Sequence, residues 1–81
     1  MKDDQARELF ASMIHEIAPE IDLSSMDGDA NLQEELDIDS VDFLNLVQMI
    51  HDITGLNVPE TDYAKMSSIN ACITYLAARV S

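Results

Sequence analysis

The stretch Leu36-Asp37-Ile38-Asp39-Ser40-Val41-Asp42-Phe43-Leu44-Asn45-Leu46-Val47 decides the fold. Beyond Ser40, Phe43, Leu46, Ile50 and Ile53 recur at the spacing of one helix face. Asp39 stands where a side chain can accept the first free N–H groups, and Gly55 suits the left-handed residue past a last turn. The pattern predicts a helix from about Ser40 to Thr54. Val41, Leu44 and Val47 fall on a separate face, and exposed apolar groups ringed by acids mark docking surfaces. Asp39-Ser40 taken alone has a plain reading, because both residues are favoured at helix starts. The apolar face beside it is what raises the alternative, a hydroxyl displayed among carboxylates next to a long loop.

Outward from this segment the helical period continues. Ala6, Leu9, Phe10, Met13, Ile14 and Ile17 make one face between Asp3 and Ala18. Asp3 and Asp4 favour its positive start and Pro19 stops it. Pro59 suits the start of a short turn of helix, Glu60 to Met66. Ser67 or Ser68 caps a last helix with Ile69, Cys72, Ile73, Leu76 and Val80 on one side. No stretch alternates with a period of two, so strands are not expected. Residues 19–39 form a long connection, expected to be pinned by Ile21, Leu23, Leu32, Leu36 and Ile38. Asn31, with Glu34 three residues on, can cap one helical turn inside it. The expected architecture is an all-α bundle with three main helices, one short helix and a long first loop, in one domain over residues 1–81.

Charge narrows the function. The 81 residues hold 16 acids and 4 bases, a net charge of −12. The bases are Lys2, Arg7, Lys65 and Arg79, so the long middle of the chain has none. Phosphate contacts need Lys and Arg, which excludes an ordinary nucleic-acid binder and disfavours anionic lipid. Basic protein surfaces or cations are the natural partners. A lone cysteine, Cys72, leaves no internal disulfide framework and no cysteine-based zinc site, and its apolar face makes it core. Apolar runs are too short to span a membrane, and with acids following Lys2 at Met1-Lys2-Asp3-Asp4 no signal-peptide core is expected. A cytoplasmic location is the default expectation. An apolar content of 47% in periodic order argues against disorder.

Catalytic and metal motifs are weak. Asp27, Asp29 and Asn31 match the first ligand positions of an EF-hand loop, but Leu32 and Ile38 stand where Gly and a bidentate Glu are needed. No specific metal site is expected. His51 lies eleven residues after Ser40, about 16 Å along one helix, too far to act as its base. His15, beside Glu16, reads as exposed. With only Gly28 and Gly55, no phosphate loop or nucleophile elbow exists. An enzyme is not expected.

The chain resembles the acyl carrier protein family. The family's Asp-Ser-Leu/Met signature reads Asp39-Ser40-Val41, with Leu36 before it and Asp42-Phe43-Leu44-Asn45-Leu46-Val47 after it. Its Ile-Pro reads Val58-Pro59, and its last-helix pattern reads Ser67-Ser68-Ile69-Asn70-Ala71-Cys72-Ile73-Thr74-Tyr75-Leu76. The resemblance covers the whole chain. It implies a non-enzymatic carrier that tethers acyl groups as thioesters on 4′-phosphopantetheine attached to Ser40, with Asp39 helping to present that serine. It implies a phosphopantetheinyl transferase as partner. Acyl-loading, ketosynthase, reductase or acyltransferase enzymes with basic patches would be the others, drawn from fatty-acid, polyketide or other lipid biosynthesis. Docking would use Val41, Asp42, Leu44, Asn45, Val47, Gln48 and His51. An acyl pocket would be lined by Phe43, Leu46, Ile50, Ile69 and Ile73, and the chain would act as a monomer.

The chain departs from the family at several positions. Asp37 replaces a frequent Gly, Val41 a Leu or Met, and Asn45 a Glu. Gln48 and His51 stand where acidic or apolar contacts are usual, and Thr54 to Pro59 is similar to carriers of the polyketide type. These departures weigh against a housekeeping fatty-acid role and leave a specialised free-standing carrier at least as well supported. A peptidyl or aminoacyl carrier, or an acidic cation-binding interaction domain, are the alternatives.

Overall fold

Helix α1 (Asp3–Ile17) starts at Lys2, whose N–H donates to Gln5 Oε1 at 3.2 Å, and carries Asp3 and Asp4 in its first turn. Their charge complements the positive helix start. Ala18 closes it, with its N–H on the Ile14 carbonyl, and Pro19 follows. Ala6, Phe10, Met13 and Ile14 form its buried stripe. The computed structural model describes residues 1–80. Among these there is no strand.

The long connection is ordered by its own polar side chains. Asp22 accepts from both the N–H and the hydroxyl of Ser24, which forms the 3-10 turn Leu23–Ser25 and holds the Asp22 carboxyl below its usual range. Asn31 Oδ1 accepts from the Glu34 N–H at 3.1 Å and starts the short helix α2 (Leu32–Leu36), as its spacing to Glu34 predicts. Asp37 ends that helix in the left-handed conformation, φ 54 and ψ 47. The Asp37 N–H returns to the Glu34 carbonyl and the Ile38 N–H to the Gln33 carbonyl. This is a Schellman closure with an aspartate where glycine is the usual occupant. Leu32, Leu36 and Ile38 are buried, while Ile21 and Leu23 are only half-buried against the core.

Polar bonds also fasten the connection to the start of the last helix. The Leu32 N–H donates to the Ser67 carbonyl at 2.7 Å, and the Asn70 N–H to the Gly28 carbonyl at 3.0 Å. Asn70 Nδ2 reaches Asp29 Oδ1 at 3.0 Å. A Cβ on Gly28 would lie 2.6 Å from the Asn70 side-chain amide, so a larger residue there would have to displace that amide from Asp29.

Helix α3 (Ser40–Thr54) follows, then a 3-10 helix (Glu60–Met66) after Pro59, then α4 (Ile69–Arg79). Ser68, rather than Ser67, caps α4 by accepting from the Ala71 N–H at 3.0 Å. Gly55 ends α3 at φ 76. Helix α1 packs against both α3 and α4, and the 3-10 helix packs on α4. The core joins the α1 stripe to Leu46 and Ile50 of α3 and to Ile69, Cys72, Ile73 and Leu76 of α4.

Two expected inner-face residues of α3 depart from the pattern. Ile53 is 56% exposed and Phe43 is half-buried. His51, Asp52 and Ile53 are all exposed, while Ile50 before them is buried and Thr54 after them half-buried, so Ile53 falls on the open side of the last turn. Phe43 is drawn instead toward the 3-10 helix, where it meets Tyr63 edge to face at 5.4 Å. Val80 is half-buried, and Tyr75, absent from the expected face of α4, is buried.

Candidate functional site

The site grows from the α2–α3 junction. The Schellman closure at Asp37 turns the chain, buried Ile38 anchors it, and Asp39 leaves it extended at φ −96. Asp39 Oδ1 accepts from the Asp42 N–H at 2.9 Å and caps α3. Ser40 is thereby the first helical residue, and it is exposed. Among the described residues no hydrogen bond engages its hydroxyl. The helix start directs partial positive charge toward groups placed there. Asp39 therefore acts on Ser40 through the backbone, by fixing where the helix begins.

Beside Ser40 opens a cleft of about 400 Å³. Its apolar wall is Leu32, Phe43, Leu44, Tyr63, Ala64 and Met66, and its rim adds Asn31, Gln33 and Ser67. Three parts of the chain converge here: the end of the long connection, the first turns of α3 and the 3-10 helix. Of the five residues expected to line an acyl pocket, Phe43 lines this cleft. Leu46, Ile50, Ile69 and Ile73 do not; they face the packed core instead, at 0–7% exposure. Spacing shows which residues face inward, not which of them border a gap left among three separate segments. Tyr63 and Met66 carry no such signal in the sequence, because a short 3-10 segment gives too few residues for a readable period.

The outer face of α3 is exposed as its spacing predicts, with one change. Val41 is 65% and Leu44 52% exposed on the outer side of α3. Asn45, Gln48 and His51 are exposed, and Asp42 is partly covered. Gln48 Nε2 donates to Asp52 Oδ1 at 3.0 Å. Val47 is half-buried instead of displayed, and lines a groove with His51, Val58 and Pro59. The chain returning after Gly55 covers it.

The remaining polar groups have structural work. Asp27 Oδ1 accepts from the Asp29 N–H, Asp29 from Asn70, and Asn31 from Glu34, so the EF-hand-like oxygens each hold the loop. Glu35 accepts from the Asp27 N–H at 2.8 Å. Among the described residues, no three His, Cys, Asp or Glu side chains converge as metal ligands. His15 is exposed. Burial pushes the Cys72 thiol up to about 12, which keeps it protonated and inert at neutral pH. Tyr75 donates to Asp62 Oδ2 at 2.7 Å and lies under the Arg79 guanidinium, 4.0 Å from the ring centre. No helix among the described residues is long and apolar enough to cross a membrane.

Comparison with known proteins covers nearly the whole chain. Residues 5–76 match the family model described as "Phosphopantetheine attachment site". The acyl carrier protein of Lactobacillus johnsonii is 32% identical over 76 residues, covering 94% of each chain. That of Rubrobacter xylanophilus is 25% identical over 73 residues, covering 86% of this chain and 90% of the relative.

Proposed function

The chain belongs to the phosphopantetheine-attachment family of acyl carrier proteins, whose prosthetic group is covalent 4′-phosphopantetheine, and from that premise we propose that Ser40 carries the group. The observation that carries this reading is the exposed, unengaged Ser40 hydroxyl at the capped start of a long helix, beside an apolar cleft. The residues fit the group. The helix start complements a phosphodiester, nothing covers the serine, and the cleft lies beside it. When bound, the group supplies a thiol that holds an acyl chain as a thioester.

The serine needs no base of its own. A phosphopantetheinyl transferase with magnesium would take its proton. Ser40 Oγ would bond to the phosphorus that bears the pantetheine in coenzyme A, and the pyrophosphate bond would break to release adenosine 3′,5′-bisphosphate. Asp39 is a positioning residue in this step, acting through the helix cap. Val41 and Leu44 give a partner two apolar contacts, while Asp39 and Asp42 attract its Lys and Arg. Such contacts are fast, weak and sensitive to salt. Tethering then raises the effective concentration of the acyl group at each successive enzyme.

Asn45, Gln48 and His51 dilute negative charge along this face, which favours a specialised acyl carrier over a housekeeping fatty-acid one. The holo protein should be a poor substrate for housekeeping ketosynthases and reductases. Asn45→Glu with His51→Glu should improve turnover through faster association at low salt. Intact mass tests the attachment. With transferase, coenzyme A and magnesium, the wild type should gain one phosphopantetheine and Ser40→Ala none. Modification of the alanine variant would overturn the assignment.

A further inference from the structure

We propose that the groove between the 3-10 helix and α4, bordered by Lys65 and Arg79, docks a glutamate- or aspartate-bearing segment of a partner protein, apart from the Ser40 end. The chain has 16 acids and 4 bases, yet two of those bases line this one groove of about 300 Å³. Its other lining residues are Ala71, Thr74, Tyr75 and Ala78, and none of these is acidic. The groove therefore reverses the sign that the rest of the sequence carries.

The two cations are held in place. Asp62 Oδ2 accepts from the Tyr75 hydroxyl at 2.7 Å, and Asp62 Oδ1 lies 3.4 Å from Lys65 Nζ. Tyr75 is buried, and the Arg79 guanidinium stacks 4.0 Å from its ring centre. One chain of contacts, Lys65 to Asp62 to Tyr75 to Arg79, thus positions both edges of the groove. Asp62 answers only part of this charge. The Lys65 side chain stays 58% exposed with donors to spare, and among the described residues Arg79 joins no ion pair. The Thr74 hydroxyl is exposed and also unengaged among the described residues. A carboxylate entering the groove meets a guanidinium, an ammonium and a hydroxyl, while its short stem lies on Ala71 and Ala78. Arg in particular pairs well with a planar carboxylate.

The occupant follows from charge and size. A nucleic acid brings many phosphates against a net charge of −12, and two bases cannot offset that repulsion. A second copy of the chain brings the same −12. One or two carboxylates on a protein segment match what the groove offers. This groove and the cleft beside Ser40 share no lining residue. A partner held at α4 leaves Ser40 accessible, and the opposite signs of the two faces keep their partners from exchanging places.

The test titrates the isotope-labelled full chain with a short synthetic peptide of alternating alanine and glutamate, and with its glutamine counterpart. At about 0.15 M salt the Debye length is about 8 Å, so distant acids are screened while contacts in the groove persist. The glutamate peptide should shift the amides of Lys65, Thr74, Ala78 and Arg79 and leave Ser40, Asp42 and Leu44 unmoved. Lys65→Gln with Arg79→Gln should weaken binding roughly 5- to 25-fold, the product of two exposed charge pairs. Lys2→Gln with Arg7→Gln removes equal charge elsewhere and should leave binding unchanged. Equal weakening by both double variants would overturn the proposal, as would equal binding of the glutamine peptide or no shift at the groove. Tighter binding of a single-stranded oligonucleotide at these residues, or self-association of the chain through them, would overturn it as well. None of these results bears on Ser40 as the attachment site.

Discussion

Leu44 and Leu46 sit two residues apart on one helix and do opposite things. Leu46 is fully buried in the core, and Leu44 is 52% exposed and lines the cleft with Ser40. The contrast extends to whole regions. The α1–α4 side of the molecule is a sealed core whose polar edge is tied by Tyr75, Asp62 and Arg79. The Ser40 end displays apolar side chains, holds an aspartate at positive φ and opens a cleft. A domain this small has little stability to spare. It keeps its packing on one side and leaves the other side free for contact.

The sharpest break of that comparison is a pair of leucine truncations. Leu46→Ala should cost about 2–5 kcal/mol in urea unfolding, enough to unfold much of the population. Leu44→Ala should stay within about 0.5 kcal/mol of the wild type. It should still slow transfer of phosphopantetheine to Ser40. Equal stability losses would mean that α3 has no division between core and docking faces.

Asp37 tests the strain at the site end. Glycine at φ 54 relieves roughly 1 kcal/mol of left-handed crowding. In a domain of this size that is a rise of about 4–8 °C in Tm. Asp37→Gly should show such a rise, and Asp37→Asn a smaller one, since it removes charge but keeps the side chain. No gain in either variant would mean that the turn is unstrained.

Local signals made much of this legible in the sequence. Asn31, Asp39, Gly55 and Pro59 announce helix boundaries because caps and turns depend on residues close in the chain. The structure places α3 at Ser40–Thr54 and the 3-10 helix at Glu60–Met66, as their flanks predict. The cleft was not legible, because it depends on what three separate segments leave unfilled. Ile53 has the right spacing for burial, yet it is 56% exposed, because spacing along one helix does not tell where its neighbours stop covering it. Tyr75 gains its partner from Asp62, thirteen residues earlier, and no spacing rule links them.

Salt should act more gently and over the whole surface. Self-repulsion at a charge of −12 should fall as the Debye length shortens, so sodium chloride should raise Tm. Magnesium should do so at lower concentration by bridging carboxylates near Glu34, Glu35, Asp37 and Asp39. With no three ligands converging among the described residues, the effect should grow gradually instead of saturating at one equivalent. A Tm indifferent to both salts would contradict the repulsion.

The smallest effect concerns the tied edge. The Tyr75 hydroxyl holds the Asp62 carboxyl below its usual value, while burial and that same bond push Tyr75 up. The Asp62 contribution is present above its unfolded value, about 3.9, and fades as pH falls through the lower folded one. The Tyr75 contribution is present below about 10 and fades as pH rises through its higher folded value. Tyr75→Phe should flatten both limbs of the urea midpoint against pH and leave modification of Ser40 unchanged.

The two-sided account is tested most directly by titrating the isotope-labelled chain with a phosphopantetheinyl transferase and following every backbone amide. Perturbations should concentrate at Asp39, Ser40, Val41, Asp42 and Leu44 and weaken as salt is added, with Tyr75 and Arg79 unmoved. Perturbations centred on the α4 edge, or spread evenly over the surface, would contradict it.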